Sequence, residues 1–294
     1  MKTCIVVLNY NNAQESLAFV KAIKEYAAFQ QILLVDNHST DDSYQIFREA
    51  FSQEDKIILL QAEKNLGYAS GNNLGLRYGV EQVHAELLFL ANPDVSFSED
   101  VVTRLREFYQ SQQNETLGTM APVMLVPNRK QENSAWKLPT FADCLLATQV
   151  GLDKIASFRQ RYSKQRFSES PIPVEVLPGS FFAISAKALK AVDYLDEGTF
   201  LYGEENILAH KLLQQGYTNY LLPDIQYLHQ HSTTIASQLK RREMFRIYHQ
   251  SLLYYVMNTL KVGKGKAMLF RIIASIGLVG RSGREKLRWN RLKK

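Results

Sequence analysis

The stretch "ILLVDNHSTDDS", residues 32 to 43, joins an apolar strand to a polar turn and the start of a helix. Ile32 to Val35 form the predicted strand, Asp36 ends it, and the helix is expected to begin near Asp41 or Asp42. Asp, Asn and Ser favour turns and cap helices, so turn chemistry alone could explain the cluster. The alternative is that Asp36 borders a binding site. Evidence from the rest of the sequence is needed to choose between these two interpretations.

The first third of the chain repeats this change from strand to helix. Apolar strands are predicted at 3–8, 32–35, 56–60 and 86–90, with helical patterns between them. Such alternation indicates parallel β-α-β units and an α/β fold. The strands are almost continuously apolar, which is typical of a sheet that is covered on both faces.

After Asp94 the alternation becomes less regular. Helices are predicted at 98–112, 204–215, 238–260 and 265–279, and strands at 117–126, 174–177 and 181–185. Residues 153–172 are basic and polar and end in "SPIP", so a mobile loop is predicted there. Gly216 follows the helix at 204–215, as expected of a C-terminal stop signal.

Composition and cysteine content indicate a globular protein from a reducing compartment. The chain has 294 residues, of which 46% are hydrophobic and 22% charged. Cys4 and Cys144 lie far apart in the sequence and fit neither a disulfide framework nor a metal-ligand spacing. The apolar run near the N-terminus is too short for the core of a signal peptide, so it is interpreted as the first strand.

The basic residues are concentrated at the C-terminal end. From Leu239 to Lys294 there are fifteen Lys and Arg residues against two acids, whereas the rest of the chain has an excess of acidic residues. Such a split favours an anionic partner, either a nucleic acid or a membrane surface. No nucleic-acid-binding motif is present, and the acidic body would repel phosphate, so nucleic acid is not expected as a partner.

Polar side chains follow each of the first four predicted strands. They are Asn9 to Asn12, then Asp36 and its neighbours, then "NLGYASGNNLG" at 65–75, and finally Asp94 in "ANPDV". In open α/β sheets ligands bind beyond the carboxyl ends of the strands, so these four groups predict a shared pocket. Neither G-x-G-x-x-G nor a P-loop is present. The sequence therefore favours a nucleotide that side chains recognise, with Asp94 placed to hold Mg²⁺ or Mn²⁺.

Five motifs in this order make the chain resemble the family 2 glycosyltransferases, especially their bacterial rhamnosyltransferase-like branch. They are "VVLNYNN", "LLVDNHSTDDS", "NLGYASGNNLG", "LFLANPDV" and "FLYGEENILAHKLLQQGY", and the resemblance covers about four fifths of the chain. It implies a GT-A fold, which is a Rossmann-like mixed sheet flanked by helices. Here that fold would form a catalytic domain over residues 1–237, followed by a basic helical extension at 238–294.

The resemblance also implies residues that bind the nucleotide-sugar. Asp36 would meet the base or ribose, and Asp94 would hold a metal ion on the diphosphate. The other positions that match the family's nucleotide-sugar site are Asn9, Tyr10, Asn11, Asn65, Gly67, Asn72 and Asn73. For Asn72 and Asn73, helix capping is an equal alternative to ligand contact.

The acid pair of "GEEN" matches the position of the family's general base. The resemblance implies that Glu205 is the base and that Glu204 fixes its geometry, although the family more often has Asp at position 205. The alternative is a charged first turn stabilised by the helix dipole. On the acceptor side, Gly179 of "LPGSFF" would allow close approach of the substrate, or would simply form a tight turn.

His229 in "YLHQHSTT" matches a family histidine that in some members reaches the metal or the diphosphate, with Ser232 completing the pattern. A structural or solvated histidine is the alternative. The resemblance therefore implies Asp94 and His229 as candidate ligands of a Mg²⁺ or Mn²⁺ cofactor.

The expected activity is inverting transfer of a sugar to a lipid-linked glycan in bacterial cell-surface polysaccharide synthesis. The first choice of donor is dTDP-rhamnose, and a UDP-hexose is the second. A catalytically silent sugar-nucleotide-binding partner in a polysaccharide assembly complex is the alternative. Oligomeric state is left open, with a homodimer as one alternative.

The C-terminal extension is expected to dock on an anionic membrane, at the cytoplasmic face. From Ala267 to Val279 only Arg271 and Ser275 interrupt small or apolar residues. This run is shorter than the ~20 residues that a spanning helix needs, so a helix lying in the membrane interface is predicted. The alternative is a helix packed on the catalytic body, which would bury Met268, Phe270, Ile272 and Ile273.

Overall fold

The computed structural model describes residues 1–112, 116–127, 130–131, 133–162, 171–230 and 241–292, and at 130–131, 241 and 279–292 the backbone alone. The described residues form an open ten-stranded sheet with the order β3-β2-β1-β4-β9-β6-β10-β5, in which β7 pairs with β6 and β8 with β10. The strands are β1 Thr3–Asn9, β2 Gln31–Asp36, β3 Ile57–Gln61, β4 Leu87–Ala91, β5 Val95–Ser96, β6 Leu117–Val126, β7 Lys130–Gln131, β8 Ile172–Val174, β9 Phe181–Ser185 and β10 Thr218–His229.

The sheet is parallel at one side and mixed at the other. Strands β1 to β4 pair in parallel, β9 runs antiparallel to both β4 and β6, and β10 runs parallel to β6. The helices are α1 Ala13–Ile23, α2 Ser43–Ala50, α3 Tyr68–Glu81, α4 Glu99–Ser111, α5 Phe141–Thr148, α6 Asp153–Gln160, α7 Ala186–Ala191, α8 Glu204–Gln214, α9 Arg241–Tyr254 and α10 Lys264–Leu292. A π-helix, Tyr255–Thr259, continues α9.

Two hydrophobic clusters cover the two faces of the sheet. Along β1, Ile5 and Val7 belong to the cluster under α1, α2 and α4, whereas Cys4 and Val6 belong to the cluster under α3, α7 and α8. Because successive side chains of a strand point to opposite faces, a strand covered on both sides is apolar throughout. The prediction of a doubly covered sheet from unbroken apolar strands is therefore confirmed.

The loop predicted at 153–172 is wrong in its first part, because Asp153–Gln160 form α6. Ala156 of α6 is buried, and α6 packs on α5, so tertiary contact makes a helix of a basic and polar segment. The remainder of that prediction includes residues 163–170, which lie outside the described part of the chain. The strand predicted at 174–177 is also displaced, since β8 covers Ile172–Val174.

The C-terminal helices pack on the catalytic body through a third hydrophobic cluster, whose buried members are Cys144, Ile207, Tyr255, Val256, Phe270 and Ala274. The helix α10 has one buried face and one exposed face. The side chain of Phe270 is 0% exposed, whereas Met268 is 65% and Ile272 is 52% exposed. No helix in the described ranges is both long enough and apolar enough to cross a membrane.

Candidate active site

The ends of β1 and β2 are joined by a network of polar side chains. Nδ2 of Asn9 donates to Oδ1 of Asp36 at 3.0 Å and to the hydroxyl of Ser39 at 3.1 Å. The other carboxylate oxygen of Asp36 accepts from the backbone N–H of Ser39. These contacts arise because β1 and β2 pair in register at Asn9 and Asp36. We call Asn9, Asn11, Asp36, Ser39 and Asn65 the donor shelf.

Asn11 and Asn65, the other two asparagines of the donor shelf, are also held by hydrogen bonds within the protein. Asn11, which has a positive φ of 50°, donates its backbone N–H to Ser39 and accepts from the backbone N–H of Thr40. Oδ1 of Asn65 accepts from Asn37 and from the backbone of Gly67. The shelf is therefore ordered by the chain itself before any ligand binds. Tyr10 lies next to it and is partly exposed.

Gly67 allows the loop after β3 to touch the loop that leads to the acid pair. A Cβ added at Gly67 would lie 2.3 Å from the carbonyl oxygen of Phe200, so no other residue fits without a shift of the backbone. The same carbonyl accepts from the backbone N–H of Tyr68 at 2.9 Å. Gly67 is thus a point of contact between the two loops.

The two asparagines of α3 have different surroundings. Nδ2 of Asn72 donates to the carbonyl of Tyr68, one turn earlier in the same helix. Asn73 donates to the carbonyl of Leu195 and to Glu197, and accepts from the backbone N–H of Leu195. Neither side chain caps the helix, which begins at Tyr68. Asn73 is turned away from the donor shelf and holds the loop that precedes the acid pair.

Asp94 and His229 lie side by side because β5 and β10 pair antiparallel, with His229 opposite Val95. Nε2 of His229 is 3.2 Å from Oδ2 of Asp94, and the two side chains are only 13% and 11% exposed. Ser232, which belongs to the same sequence pattern, lies outside the described residues. The structure thus brings together the two side chains predicted to bind metal, which are far apart in the sequence.

Two protein ligands fit a Mg²⁺ or Mn²⁺ ion that substrate phosphates also coordinate, because such ions are commonly held by one or two carboxylates plus phosphate and water. Within the described ranges, no group of three or more His, Cys, Asp or Glu side chains could hold a metal ion. The donor set therefore suits an ion that arrives with a diphosphate better than a closed protein cage.

The acid pair opens α8 at the end of an irregular loop. Tyr202 and Gly203 both have positive φ, at 77° and 90°, directly before Glu204. Glu204 is only 5% exposed, and Glu205 is partly exposed. A Cβ added to Gly179 would lie 3.9 Å from Oε2 of Glu205, with no closer obstacle. The lack of a side chain at Gly179 leaves the space in front of this carboxylate open.

Burial raises the pKa of both glutamates above the usual value for this side chain. The charge of Glu205 raises the pKa of Glu204 further, while the hydroxyl of Thr199 and the backbone of Tyr202 oppose this rise. A carboxylate with a raised pKa is a stronger base than an ordinary one. The partly exposed member, Glu205, is the one that a substrate could reach.

Tyr68 links the metal side of the site to the acid pair. Its hydroxyl lies 2.9 Å from Oδ1 of Asn92 and 2.9 Å from the carbonyl oxygen of Gly179. Burial raises the pKa of Tyr68 well above its usual value, and the charges of Glu204, Glu205 and Asp94 raise it further. The phenol therefore stays protonated. It lies between Asn92, which is close in sequence to Asp94, and Gly179, which is next to Glu205. Tyr68 belongs to the motif "NLGYASGNNLG", but no local signal in the sequence predicted a role for it.

A cavity of about 230 Å³ is lined by Glu205 and by no member of the donor shelf. We call it the aromatic cavity. Its walls include two acids, two amides and four aromatic side chains, which are Asp143, Glu205, Gln160, Asn206, Trp136, Tyr202, Tyr248 and Tyr255. No single sequence motif indicated it, because its walls come from α5, α6, α8, α9, the π-helix and the segments that precede α5 and α8, which are distant in the sequence.

This fold is that of the GT-A glycosyltransferases, as predicted. The chain aligns at a TM-score of 0.58 and 15% identity with a mannosyltransferase from Pyrobaculum calidifontis solved with GDP-Man and Mn²⁺, over 96% of this chain and 75% of that one. It aligns equally well, with 14% identity, with residues 1–349 of TarS from S. aureus in complex with UDP-GlcNAc, over 92% and 70% of the two chains.

The glycosyl transferase family 2 model matches residues 4–192, so the chain belongs to this family. The predicted resemblance is thereby confirmed. The chain is 26% identical over 201 residues to the low-salt glycan biosynthesis hexosyltransferase Agl10 of Haloferax volcanii, covering 68% of this chain and 58% of that protein. It is 27% identical over 212 residues to the N-acetylglucosaminyl-diphospho-decaprenol L-rhamnosyltransferase of Mycobacterium tuberculosis, covering 69% of this chain and 67% of that protein.

Proposed function

We propose that this protein is an inverting glycosyltransferase that moves a sugar from a nucleoside diphosphate to a lipid-linked glycan. The observation that carries the proposal is the arrangement around Tyr68. Its hydroxyl contacts the carbonyl of Gly179, and the missing side chain of Gly179 leaves open space in front of Glu205. The same hydroxyl contacts Asn92, two residues before Asp94. The candidate base and the candidate metal-binding pair, Asp94 and His229, thus flank one open space.

The donor shelf supports nucleotide binding. Asp36 and Asn9 are buried and held by each other, so their orientation is fixed and costs little ordering entropy when a ligand binds. Asp94 and His229 would hold a Mg²⁺ or Mn²⁺ ion against the diphosphate. Such an ion, when bound, offsets the negative charge that the leaving group gains.

Glu205 serves as the general base in this proposal. The acceptor oxygen forms a bond to the anomeric carbon while the bond from that carbon to the diphosphate oxygen breaks. The proton of the acceptor hydroxyl passes to Glu205, and the electron pair of the broken bond leaves with the nucleoside diphosphate. An alcohol has a much higher pKa than a carboxylic acid, so proton transfer must accompany attack. The base and leaving group lie on opposite sides of the carbon, which gives inversion.

For the donor we propose dTDP-rhamnose first and a UDP-hexose second. The rhamnosyltransferase from Mycobacterium tuberculosis among the relatives supports the first choice, and the same name supports a lipid-diphosphate acceptor. The hexosyltransferase from Haloferax volcanii and the complex of TarS with UDP-GlcNAc keep the second choice open. A role in cell-surface polysaccharide synthesis belongs to the same proposal.

The proposal is tested by incubating the full chain and Mn²⁺ with dTDP-rhamnose or with UDP-hexoses, using a short-chain N-acetylglucosaminyl diphospho-lipid as the acceptor. We expect one donor to yield a glycosylated product with inverted anomeric configuration, detected by mass spectrometry and NMR. Retained configuration would contradict the mechanism. Nucleotide-sugar binding with neither transfer nor donor hydrolysis would support a silent binding partner instead.

We also propose that the protein works at the cytoplasmic face of the membrane, with α10 docked on anionic lipid. Two free, buried cysteines suit a reducing compartment. Apolar side chains of α10 that face away from the body are Met268, Leu269, Ile272 and Ile276. Exposed Arg271 lies among them, and Lys264 and Lys266 are exposed at the start of the helix. An apolar face with basic residues near its edge is typical of a helix lying in the membrane interface.

The docking proposal is tested by sedimenting the protein with phosphatidylglycerol vesicles. Ile272→Asp should reduce binding, and salt should weaken the binding of the unchanged protein, because attraction between basic residues and anionic lipid is screened. Thr103→Asp, a polar position on α4, serves as the control. Truncation after Leu260 is a poorer test, because it would remove Phe270 from a buried cluster. Equal binding by the Ile272→Asp variant would contradict the proposal.

A further inference from the structure

The aromatic cavity contains the side chain of Glu205 but none of the donor shelf. Its volume of about 230 Å³ is below the ~300–1,000 Å³ of pockets that hold drug-sized ligands. A single sugar ring is a compact molecule of suitable size. The cavity therefore fits one ring beside Glu205, the base in the proposed function.

The aromatic rings of this cavity are fixed in position. The indole N–H of Trp136 donates to Oδ1 of Asn206 at 2.8 Å. The rings of Tyr202 and Tyr248 meet edge to face, with their centroids 5.9 Å apart and an interplanar angle of 79°. All three side chains are partly exposed, so flat apolar surface is available to a ligand. A pyranose ring has one face of C–H groups and a rim of hydroxyls, and it suits such a wall.

The backbone at Tyr202 gives a second, independent indication. Its φ of 77° is uncommon for a bulky residue, and strained backbone of this kind clusters at ligand sites. The ring of Tyr202 packs against Tyr248, and α8 begins two residues later, at Glu204. One strained residue thus ties the aromatic wall to the acid pair.

The polar groups of the cavity leave Glu205 as its available charged side chain. Asp143 also borders the cavity, but its carboxylate accepts from Thr140 and from Arg159. The amide oxygen of Asn206 is engaged by Trp136, and the hydroxyl of Ser251 donates to the carbonyl of Leu201. Of the two carboxylates that line the cavity, Glu205 is therefore the one that a hydroxyl of a bound ring would meet as its acceptor.

We propose that the aromatic cavity is the subsite for the acceptor sugar, in which a pyranose stacks on Tyr248 and Trp136 and turns one hydroxyl to Glu205. This inference rests on the proposed transferase function and names the substrate group that its base would act on. Tyr248 belongs to α9, so the C-terminal extension is part of the binding site and not only an attachment to the membrane.

The test compares Tyr248→Ala with Tyr248→Phe, because stacking needs the ring and not the hydroxyl. Initial rates are measured with the nucleotide-sugar and the short-chain N-acetylglucosaminyl diphospho-lipid. Tyr248→Ala should raise the KM for the acceptor at least tenfold, with the KM for the donor and the rate of donor hydrolysis unchanged. Tyr248→Phe should stay within about twofold of the unchanged protein. Tyr44→Ala, a partly exposed tyrosine on α2, is the matched control.

A binding measurement keeps the inference testable whatever the activity. Calorimetry measures the affinity of the unchanged protein and of the three variants for the same lipid-diphosphate probe. Each titration is done with and without dTDP and Mn²⁺. We expect weaker binding by Tyr248→Ala alone. Equal binding by Tyr248→Ala, or no binding of the probe by the unchanged protein, overturns the subsite. Absence of nucleotide-sugar binding and hydrolysis overturns the proposed function instead, so the two failures are distinguishable. If Tyr248→Ala does not fold, a tenfold loss in Tyr248→Phe would also contradict stacking.

Discussion

The donor shelf and the aromatic cavity share no lining residue, and they are built differently. The shelf is a network of polar side chains at the ends of neighbouring strands, and its members bond mainly to each other. The cavity is a set of aromatic rings from helices and loops that are distant in the sequence. The difference indicates that the shelf is a rigid polar surface suited to a charged group, whereas the cavity is an apolar surface suited to stacking.

The largest effect is expected on the donor side, at Asp94. Asp94→Ala should abolish transfer and remove the metal dependence of nucleotide binding, because only His229 would then remain of the pair. Calorimetry with the free nucleoside diphosphate, with and without Mn²⁺, measures this. Asp55→Ala, an exposed position before β3, is the control. Unchanged metal-dependent affinity would show that the ion is held elsewhere.

At the boundary between the two regions, Glu205→Gln should leave donor binding nearly intact and slow transfer by about 10²–10⁴-fold, the range for loss of a general base. Glu204→Gln should be far less damaging, since burial keeps that side chain away from substrate. Single-turnover rates with saturating donor separate the two. An inactive Glu204→Gln beside an active Glu205→Gln would assign the base to the other carboxylate.

The packing of α10 behind the cavity can be tested through stability. Phe270→Ala should lower the free energy of unfolding by about 3–5 kcal/mol, because it removes a fully buried ring. Met268→Ala, two residues earlier on the exposed face, should change it by less than about 0.5 kcal/mol. Urea unfolding measures both. Equal effects would mean that α10 does not pack on the body as described.

The smallest effect concerns the pH dependence of stability. The buried Glu204 has a raised pKa, so the folded protein holds a proton there at pH values where the unfolded chain has lost it. This group therefore lowers the free energy of unfolding as the pH rises above about 4.3, the usual value for glutamate. Glu204→Gln removes this loss, so its melting temperature relative to the unchanged protein should increase from pH 5 to pH 8. A constant difference would contradict the burial of this group.

The first half of the fold and the donor shelf were predictable because their signals are local. Asp36 follows an apolar strand directly, and parallel strands bring such strand ends together. The long strand β10 was not predicted, because Pro223 interrupts "YLLPDIQYLH", and prolines are uncommon inside strands. The structure accommodates it with a shift in register between Leu222 and Gln226.

The cavity and the role of Asn73 were not predictable in the same way. Asn73 reaches Leu195, 122 residues later, and no local pattern indicates such a partner. Trp136, Tyr202 and Tyr248 are single aromatic residues in unrelated segments, each of which could belong to an ordinary core. The apolar stretch at 267–279 allowed both a packed and an exposed helix. The structure has both, with Phe270 buried and Met268 and Ile272 exposed, while the side chain of Val279 lies outside the described part.

The long sequence separations behind the cavity also affect the order in which the protein can form during translation. Chains emerge from the ribosome at about 5–20 residues per second and fold from the N-terminal side. Asn9, Asp36 and Asn65 are made early, so the part of the chain that forms the donor shelf can assemble on a nascent chain. Tyr255 must reach Pro139, and the carbonyl of Ile273 must reach Gln149, across 116 and 124 residues. The aromatic cavity is therefore completed last, when almost the whole polypeptide has been synthesised.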